Sequence, residues 1–235
     1  MKMKTSMVSK IQAIFRGFNY RKNNLPNAIK RVKQYLEQER VVCSKSSDDG
    51  RTNSCFDELK VIKILAALKE FQHRLWVPEK RHWFDIAIKD YRHGWLPINI
   101  KSTTTKNSDN IGNLTTCVYA LTNYDINIRS SYQNGPMSRV YIDCIKNEKF
   151  NRVKKRDYYF IVMNKNNGHI IANSLKGLVH LTPNINNLPF QINWSRNPTF
   201  AYKSLKNVID MVNQAFITPK PSWRETFLKE MRGLK

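Results

Sequence analysis

The chain has 235 residues, with 40 Lys and Arg against 18 Asp and Glu, a formal net charge of +22 at pH 7. Its 41% hydrophobic and 11% aromatic content excludes a disordered chain, and its eight glycines form no phosphate-cradling loop. So large a positive excess points to a polyanionic partner, with nucleic acid ahead of a membrane surface.

Taken in chain order, residues 6–21 carry apolar side chains on one side and basic ones elsewhere, which predicts an amphipathic helix. A second helix is expected to start near Pro26 and run through Ile29, Val32, Tyr35 and Leu36. A polar loop over 44–53 precedes a third, with Ser54 as N-cap, Asp57 three residues on, and Phe56, Leu59, Ile62, Leu65 and Leu68 as its apolar stripe. After Pro78 the period changes to two: HWFDIAIK at 82–89 and WLPINIKS at 95–102 read as a hairpin around the turn-like DYRHG. A short helix is expected at 114–122 and strands at 139–145, 158–164, 169–173 and 190–194, the middle two joined by KNNG. Helical spacing returns at 202–216 and again at 223–231.

No repeat, linker or domain boundary interrupts the sequence. The reading is one α+β domain over 1–235, sandwich-like, with a central mixed β-sheet flanked by helices. It divides into N-terminal helices (5–72), the hairpin (82–102), a region suited to nucleic-acid recognition (123–200) and C-terminal helices (202–232). Cysteines 43, 55, 117 and 144 form no C-x-x-C pair and have no histidine at zinc-finger spacing, so reduced thiols and a cytoplasmic location are expected. The N-terminal charges lack the apolar run of a signal peptide, and Lys63 interrupts the most apolar helical stretch, 61–68, so no membrane association is expected.

The hairpin carries the chemistry. If Lys89 pairs with Trp95 across a five-residue loop, Asp85 stands opposite Asn99, Ile86 opposite Ile98 and Phe84 opposite Ile100. Asp85, Asn99 and Lys101 then share one face, and the Phe and Ile residues turn the other to the core. A carboxylate, an amide and an ammonium gathered in this way have room for a metal ion and a water. The same residues would also serve as an ordinary exposed strand pair.

W-F-D85, then L-P-I-N99-I-K101-S-T, then K106-N-S-D-N-I-G, resembles the PD-(D/E)xK nuclease superfamily and specifically its type II restriction endonucleases. Asn99 stands where that family usually has Asp or Glu, as in its Asn-x-Lys members. F190-Q-I-N-W194 followed by N-P-T-F is a looser likeness late in the chain, and the order helix, hairpin, helix, strand agrees. The motif covers about thirty residues. The resemblance implies a restriction-endonuclease-like fold and Mg²⁺-dependent, sequence-specific cleavage of double-stranded DNA by a monomer, or by a homodimer on a palindromic site. It implies Asp85 and the main-chain carbonyl of Ile100 as metal ligands, Lys101 on the attacking water, Asn99 holding a water, and Glu58 as an outer carboxylate.

DNA contacts are expected from Ser102, Thr103 and Lys106, and from the basic run Lys149, Arg152, Lys154, Lys155 and Arg156. Base reading is expected from loop residues such as Arg139, Asn193, Arg196, Gln133 and Asn134. Residues 158–209 contain no Asp or Glu, and asparagine occurs 25 times in the chain, a supply of base-edge donors and acceptors that an AT-rich coding sequence would equally enrich. Trp95 and Trp194 are assigned to the core. The competing functions are a structure-specific or repair nuclease and a non-catalytic basic nucleic-acid-binding protein.

Overall fold

The computed structural model describes residues 24–41, 43, 50–110, 113–150, 156–184 and 190–217. The helices expected over 6–21 and 223–231 lie outside them. Among the described residues, five helices pack on a five-stranded mixed sheet, with a second sheet of three short strands beside it. The α+β architecture with a central mixed sheet is the one expected from the sequence.

The helices are α1 (Asn27–Gln38), α2 (Gly50–Ala67), α3 (Leu114–Leu121), α4 (Asn134–Lys146) and α5 (Leu205–Ile217). The strands are β1 (Leu75–Trp76), β2 (Ile86–Asp90), β3 (Gly94–Thr103), β4 (Ser108–Asn110), β5 (Tyr159–Asn164), β6 (Ile170–Ser174), β7 (Thr182–Pro183) and β8 (Phe190–Asn193). The large sheet runs β1-β2-β3-β5-β6, antiparallel except for the parallel β3–β5 pair. A parallel pair needs a crossover, and α3 and α4 supply it. The small sheet runs β4-β8-β7.

Strand alternation builds two cores from one sheet. Ile86, Ile88, Leu96, Ile98, Ile100, Tyr159, Ile161 and Met163 face α1 and α2 and meet Ile29, Val32, Leu36, Val61 and Leu65. Ala87, Phe160, Val162 and Ile171 point the other way, into a larger core with Val118, Met137, Tyr141, Trp194, Val208 and Val212. Pro97 sits within β3, but β5 pairing begins only at Ile98, so the missing N–H breaks no ladder bond.

Several expectations need correction. Residues 139–145 are helical, within α4; Met137, Tyr141 and Cys144 are buried at helical spacing, and β-branched Val140, Ile142 and Ile145 gave the false strand signal. Helix α2 starts at Gly50, so Ser54 is inside it rather than capping it. Its inward face reads Asn53, Asp57, Val61, Leu65, while Phe56 and Leu59 are exposed. The first half of this face is polar, and next to it Ser54 Oγ approaches Ser102 Oγ of β3 (3.5 Å). Strand β2 begins at Ile86, and Trp83 and Phe84 leave the sheet for an aromatic cluster with Trp76 and Tyr158. Phe84 therefore does not face Ile100. Asp90 also pairs with Gly94, which shortens the hairpin loop to three residues; Gly94 takes a left-handed φ of 73°.

The loops around the small sheet hang on one buried side chain. Asn197 Oδ1 accepts from Val179 N (2.8 Å) and His180 N (3.1 Å), and its Nδ2 donates to His180 O (2.9 Å) and Asn193 O (2.8 Å). Asn197→Ala strands four backbone groups at a site with no solvent exposure, so a loss of at least about 2 kcal/mol is expected, read as a lower Tm in thermal denaturation.

Candidate functional site

The site forms where β2 has not yet begun and β3 is already in the sheet. Asp85 N donates to Ile98 O (3.0 Å), the last backbone bond of the hairpin. Beyond it the Asp85 carboxylate replaces the missing strand: Oδ2 accepts from Ile100 N (2.6 Å) and Asn99 Nδ2 (2.9 Å). In a strand, the N–H and C=O of one residue point to the same side, so the Ile100 carbonyl also faces the gap left by β2. The expected register holds, with Ile86 opposite Ile98 and Lys89 opposite Trp95. Asp85, Asn99 and Lys101 are half-buried at the mouth of the second core rather than on an open polar face.

The bond to Asp85 orients the Asn99 amide and leaves its Oδ1 buried with no hydrogen-bond partner among the described residues. A buried carbonyl without a donor costs free energy unless a water or cation completes it. Below lies Tyr158, whose hydroxyl donates to Trp83 O (2.9 Å) and contacts the side chains of Thr116 and Asn99. Burial, with Asp85 adding to it, holds this phenol well above its ordinary pKa. Sequence reading missed Tyr158, because nothing in its own segment marks it; the parallel placement of β5 beside β3 brings it there.

The charges are closely coupled. Burial pushes the Asp85 carboxyl up to about 6, opposed by the Ile100 N–H and then by Lys101. Burial pushes Glu58 up to about 7, with Asp85 and Asp57 adding to the rise and Lys101 opposing it. Glu58 comes from the polar first half of α2, which also brings Ser54 Oγ to 3.5 Å from Ser102 Oγ. The structure thus brings together Asp85, Asn99, Ile100, Lys101 and Glu58. Asp109 on β4 lies within electrostatic reach of Lys101: burial raises its carboxyl, opposed by the nearby Thr103 hydroxyl, by Lys101 and by Lys165. It stood in the quoted K106-N-S-D-N-I-G segment without a role. The oxygen donors are hard ones suited to Mg²⁺, namely two carboxylates, an amide and a main-chain carbonyl. Among the described residues no cluster of three or more His, Cys, Asp or Glu forms a metal site.

The expected DNA-contact residues are more scattered. Ser102 and Thr103 are buried. Lys106 is exposed, and its carbonyl accepts from Asn193 Nδ2 (3.3 Å). The Asn193 Oδ1 is taken by Ser195 Oγ and Arg196 N, so this side chain braces the loop. Arg196 is exposed and hydrogen-bonds to His180 Nε2 (3.0 Å). Arg139 and Lys149 are exposed on and just after α4, away from the hairpin in sequence and in layer. Gln133 is exposed beside that helix, and Asn134 Oδ1 accepts from Leu114 N (3.0 Å) at the start of α3. Arg152, Lys154 and Lys155 lie outside the described residues. The Arg156 Nη2 donates to Thr122 O (2.9 Å) and Tyr124 O (2.8 Å), and its guanidinium lies over the Tyr119 ring, so it is a structural clamp. An amide row was not anticipated: Asn184 Nδ2 and Gln191 Nε2 both donate to Asn110 Oδ1 on the exposed side of the small sheet. Trp194 is fully buried and Trp95 packs against the core, as assigned. The four cysteines are unpaired, and among the described residues no helix is long and apolar enough to cross a membrane.

Fold and site define an α+β protein with a half-buried carboxylate–amide–lysine centre on an antiparallel hairpin. No protein-family model matches the chain, and no curated protein matches it.

The raised carboxyls fix a sign for the pH dependence. Glu58 and Asp85 hold protons more tightly in the folded chain than in the unfolded one, so their protonation stabilises the fold at low pH. That contribution is lost as pH rises from the unfolded carboxyl range near 4 through about 6 and 7. Glu58→Gln in EDTA is expected to raise Tm at pH 8 by a few degrees and to leave it nearly unchanged at pH 4.5, measured by calorimetry at both pH values.

Proposed function

We propose that the protein is a Mg²⁺-dependent, sequence-specific double-stranded DNA endonuclease of the type II restriction class. The observation that carries this reading is the Asp85 carboxylate bound to Asn99 and Ile100 N, with Lys101 and Glu58 electrostatically coupled to it. Support also comes from the order of elements, a helix, a hairpin, crossover helices and a strand parallel to β3, which agrees with the order in the nucleases that the motif resembles. The charge of +22 supports a polyanionic substrate.

Asp85 and the Ile100 carbonyl would hold a Mg²⁺ ion, with Glu58 outside them; bound there, the ion would polarise the scissile phosphate and lower the pKa of a water. Lys101 would orient the attacking water. Asn99 Oδ1, the unsatisfied acceptor, holds a water of the site. Asn99 brings no charge, so this centre has one anionic ligand fewer than an acidic motif and does not hold a second ion tightly. Asp85 and Glu58 are nearer neutrality than ordinary carboxylates before the ion enters, which keeps the empty centre from carrying two buried negative charges. Lys106 and Arg196 flank the small sheet and supply phosphate contacts, and the exposed Asn110 with the half-buried Asn184 and Gln191 present base-edge donors and acceptors.

Plasmid digestion in Mg²⁺ against EDTA tests the reading: discrete fragments mark a site-specific nuclease, a smear a nonspecific one, and no cleavage a binding protein. Lys101→Ala is expected to lower the single-turnover rate at least about 100-fold. Its DNA affinity, measured in Ca²⁺, should stay within about several-fold of wild type, because other cations supply phosphate attraction.

Salt dependence separates surface contacts from structural arginines. Lys106→Ala should reduce the slope of log affinity against log salt by about 0.9, the value for one phosphate contact. Arg156→Ala should lower Tm and leave the slope unchanged, because its guanidinium is spent on the Thr122 and Tyr124 carbonyls.

A further inference from the structure

A four-residue loop, 104–107, joins β3, which carries Asn99 and Lys101, to β4 of the small sheet. One of its residues is strained. Thr105 has a φ of 62°, in the left-handed region. A β-branched side chain there crowds its own backbone, and glycine or asparagine is the ordinary occupant. Such a conformation persists only where the surrounding structure over-determines it.

Here the surrounding contacts come from both sheets. Thr105 N donates to Thr103 Oγ1 (3.3 Å), and Thr105 Oγ1 accepts from Asn164 Nδ2 (3.2 Å) at the end of β5. The carbonyls on either side are held as well. Thr104 O accepts from Asn166 Nδ2 (3.2 Å) in the turn after β5, and Lys106 O accepts from Asn193 Nδ2 (3.3 Å) of β8. The clamping amides are themselves tied down: Asn164 Oδ1 accepts from Asn166 N (2.9 Å), and Asn193 Oδ1 accepts from Ser195 Oγ (2.6 Å). The outward groups of the loop are left open. Thr104, Lys106 and Asn107 are exposed, and among the described residues their hydroxyl, ammonium and amide make no hydrogen bond or ion pair. A hydroxyl, a cation and an amide are the groups that contact phosphate oxygens. Lys106 follows Lys101 by five residues, so their Cα atoms are at most about 18 Å apart, roughly five steps of a duplex.

We propose that Thr105 is a positioning residue for Lys106: its left-handed turn, locked by Asn164, presents Lys106, with Thr104 and Asn107 beside it, to a DNA backbone phosphate close to the one that is cleaved. The inference rests on the nuclease reading and adds to it the device that sets where the duplex lies along β3. Phosphate contacts fix position without reading sequence. A loop that is ordered before DNA arrives loses less freedom on binding. Glycine at 105 would remove the strain and, with it, the rigidity.

The test uses the full chain and a duplex in Ca²⁺ at several salt concentrations, with Thr105→Gly, Thr105→Ser, Lys106→Ala and the double variant of Thr105→Gly with Lys106→Ala. Thr105→Gly is expected to leave Tm within about 2 °C of wild type, because relief of strain and added chain freedom oppose one another. Its DNA affinity should fall ~3- to 10-fold, the effect of leaving one contact group unordered. The slope of log affinity against log salt should flatten, by less than the value of about 0.9 for a whole contact. Thr105→Ser keeps the hydroxyl that Asn164 bonds and should restore affinity to within about two-fold of wild type. In the double variant the two losses should be less than additive, because residue 105 acts largely through Lys106. Asn164→Ala, which removes the clamp from outside the loop, should weaken binding in the same direction and decides the matter if Thr105→Gly fails to fold. Unchanged affinity in Thr105→Gly, fully additive losses, or no recovery in Thr105→Ser overturns the proposal. A chain that binds DNA without cutting it in Mg²⁺ ends the nuclease reading and leaves this comparison of affinities intact, whereas a chain that binds no DNA overturns both.

Discussion

Asp85 ends one strand and opens a site. A continuous β2 would pair residue 84 with Ile100 and seal the hairpin as ordinary sheet. Instead the chain turns away at Phe84, whose ring joins the aromatic cluster, and the Asp85 carboxylate takes over the acceptor role that a backbone carbonyl would have filled. This substitution has three consequences. It fixes the Asn99 amide, it leaves the Ile100 carbonyl on the side that β2 has vacated, and it places a half-buried carboxyl within reach of the Lys101 charge. Everything around the centre can be understood as a response to that charge.

The two cores explain why the centre is stable enough to keep such a feature. The hairpin is clamped from below by α1 and α2 through isoleucines and leucines, and from above by α3, α4 and α5. The polar residues therefore lie at a mouth between two well-packed layers rather than on a flexible surface. Helix α2 serves both needs along its length: Val61 and Leu65 anchor it in the lower core, while Ser54 meets Ser102 and Glu58 feels the charges of Asp85 and Lys101. Tyr158, buried beneath, replaces what would be a void or a water with a rigid hydroxyl tied to Trp83 O.

The small sheet gives the molecule a second surface. It follows β3 after a four-residue loop, so Lys101 and the amide of Asn110 are close in sequence. Its loops are held by Asn173 and Asn197, fully buried amides that bond backbone groups in place of water. Abundant asparagine in this chain therefore serves architecture at these two positions and surface chemistry at Asn110 and Asn184.

The register of the hairpin was legible in the sequence, because a period-two pattern with one apolar face admits no one-residue slip. Lys89 opposite Trp95 and Ile86 opposite Ile98 followed from it, and with them the grouping of Asp85, Asn99 and Lys101. The α+β class was legible too, from the change of period after Pro78. The helix over 134–146 was not, since Val140, Ile142 and Ile145 match a strand locally and only burial of Met137, Tyr141 and Cys144 against α3 and α5 decides for a helix. Tyr158 and Asp109 were equally hidden. Their positions depend on β5 lying parallel to β3 and on β4 pairing with β8, contacts between residues far apart in sequence that no local pattern encodes. The same is true of Arg156, whose charge placed it in a basic run but whose burial over Tyr119 gave it to the fold. Sequence alone determined which residues alternate and which faces are apolar, because those are properties of a few neighbouring side chains. Tertiary structure decided which charges are desolvated and which acceptors are left unfilled, because both depend on what the rest of the chain packs against them.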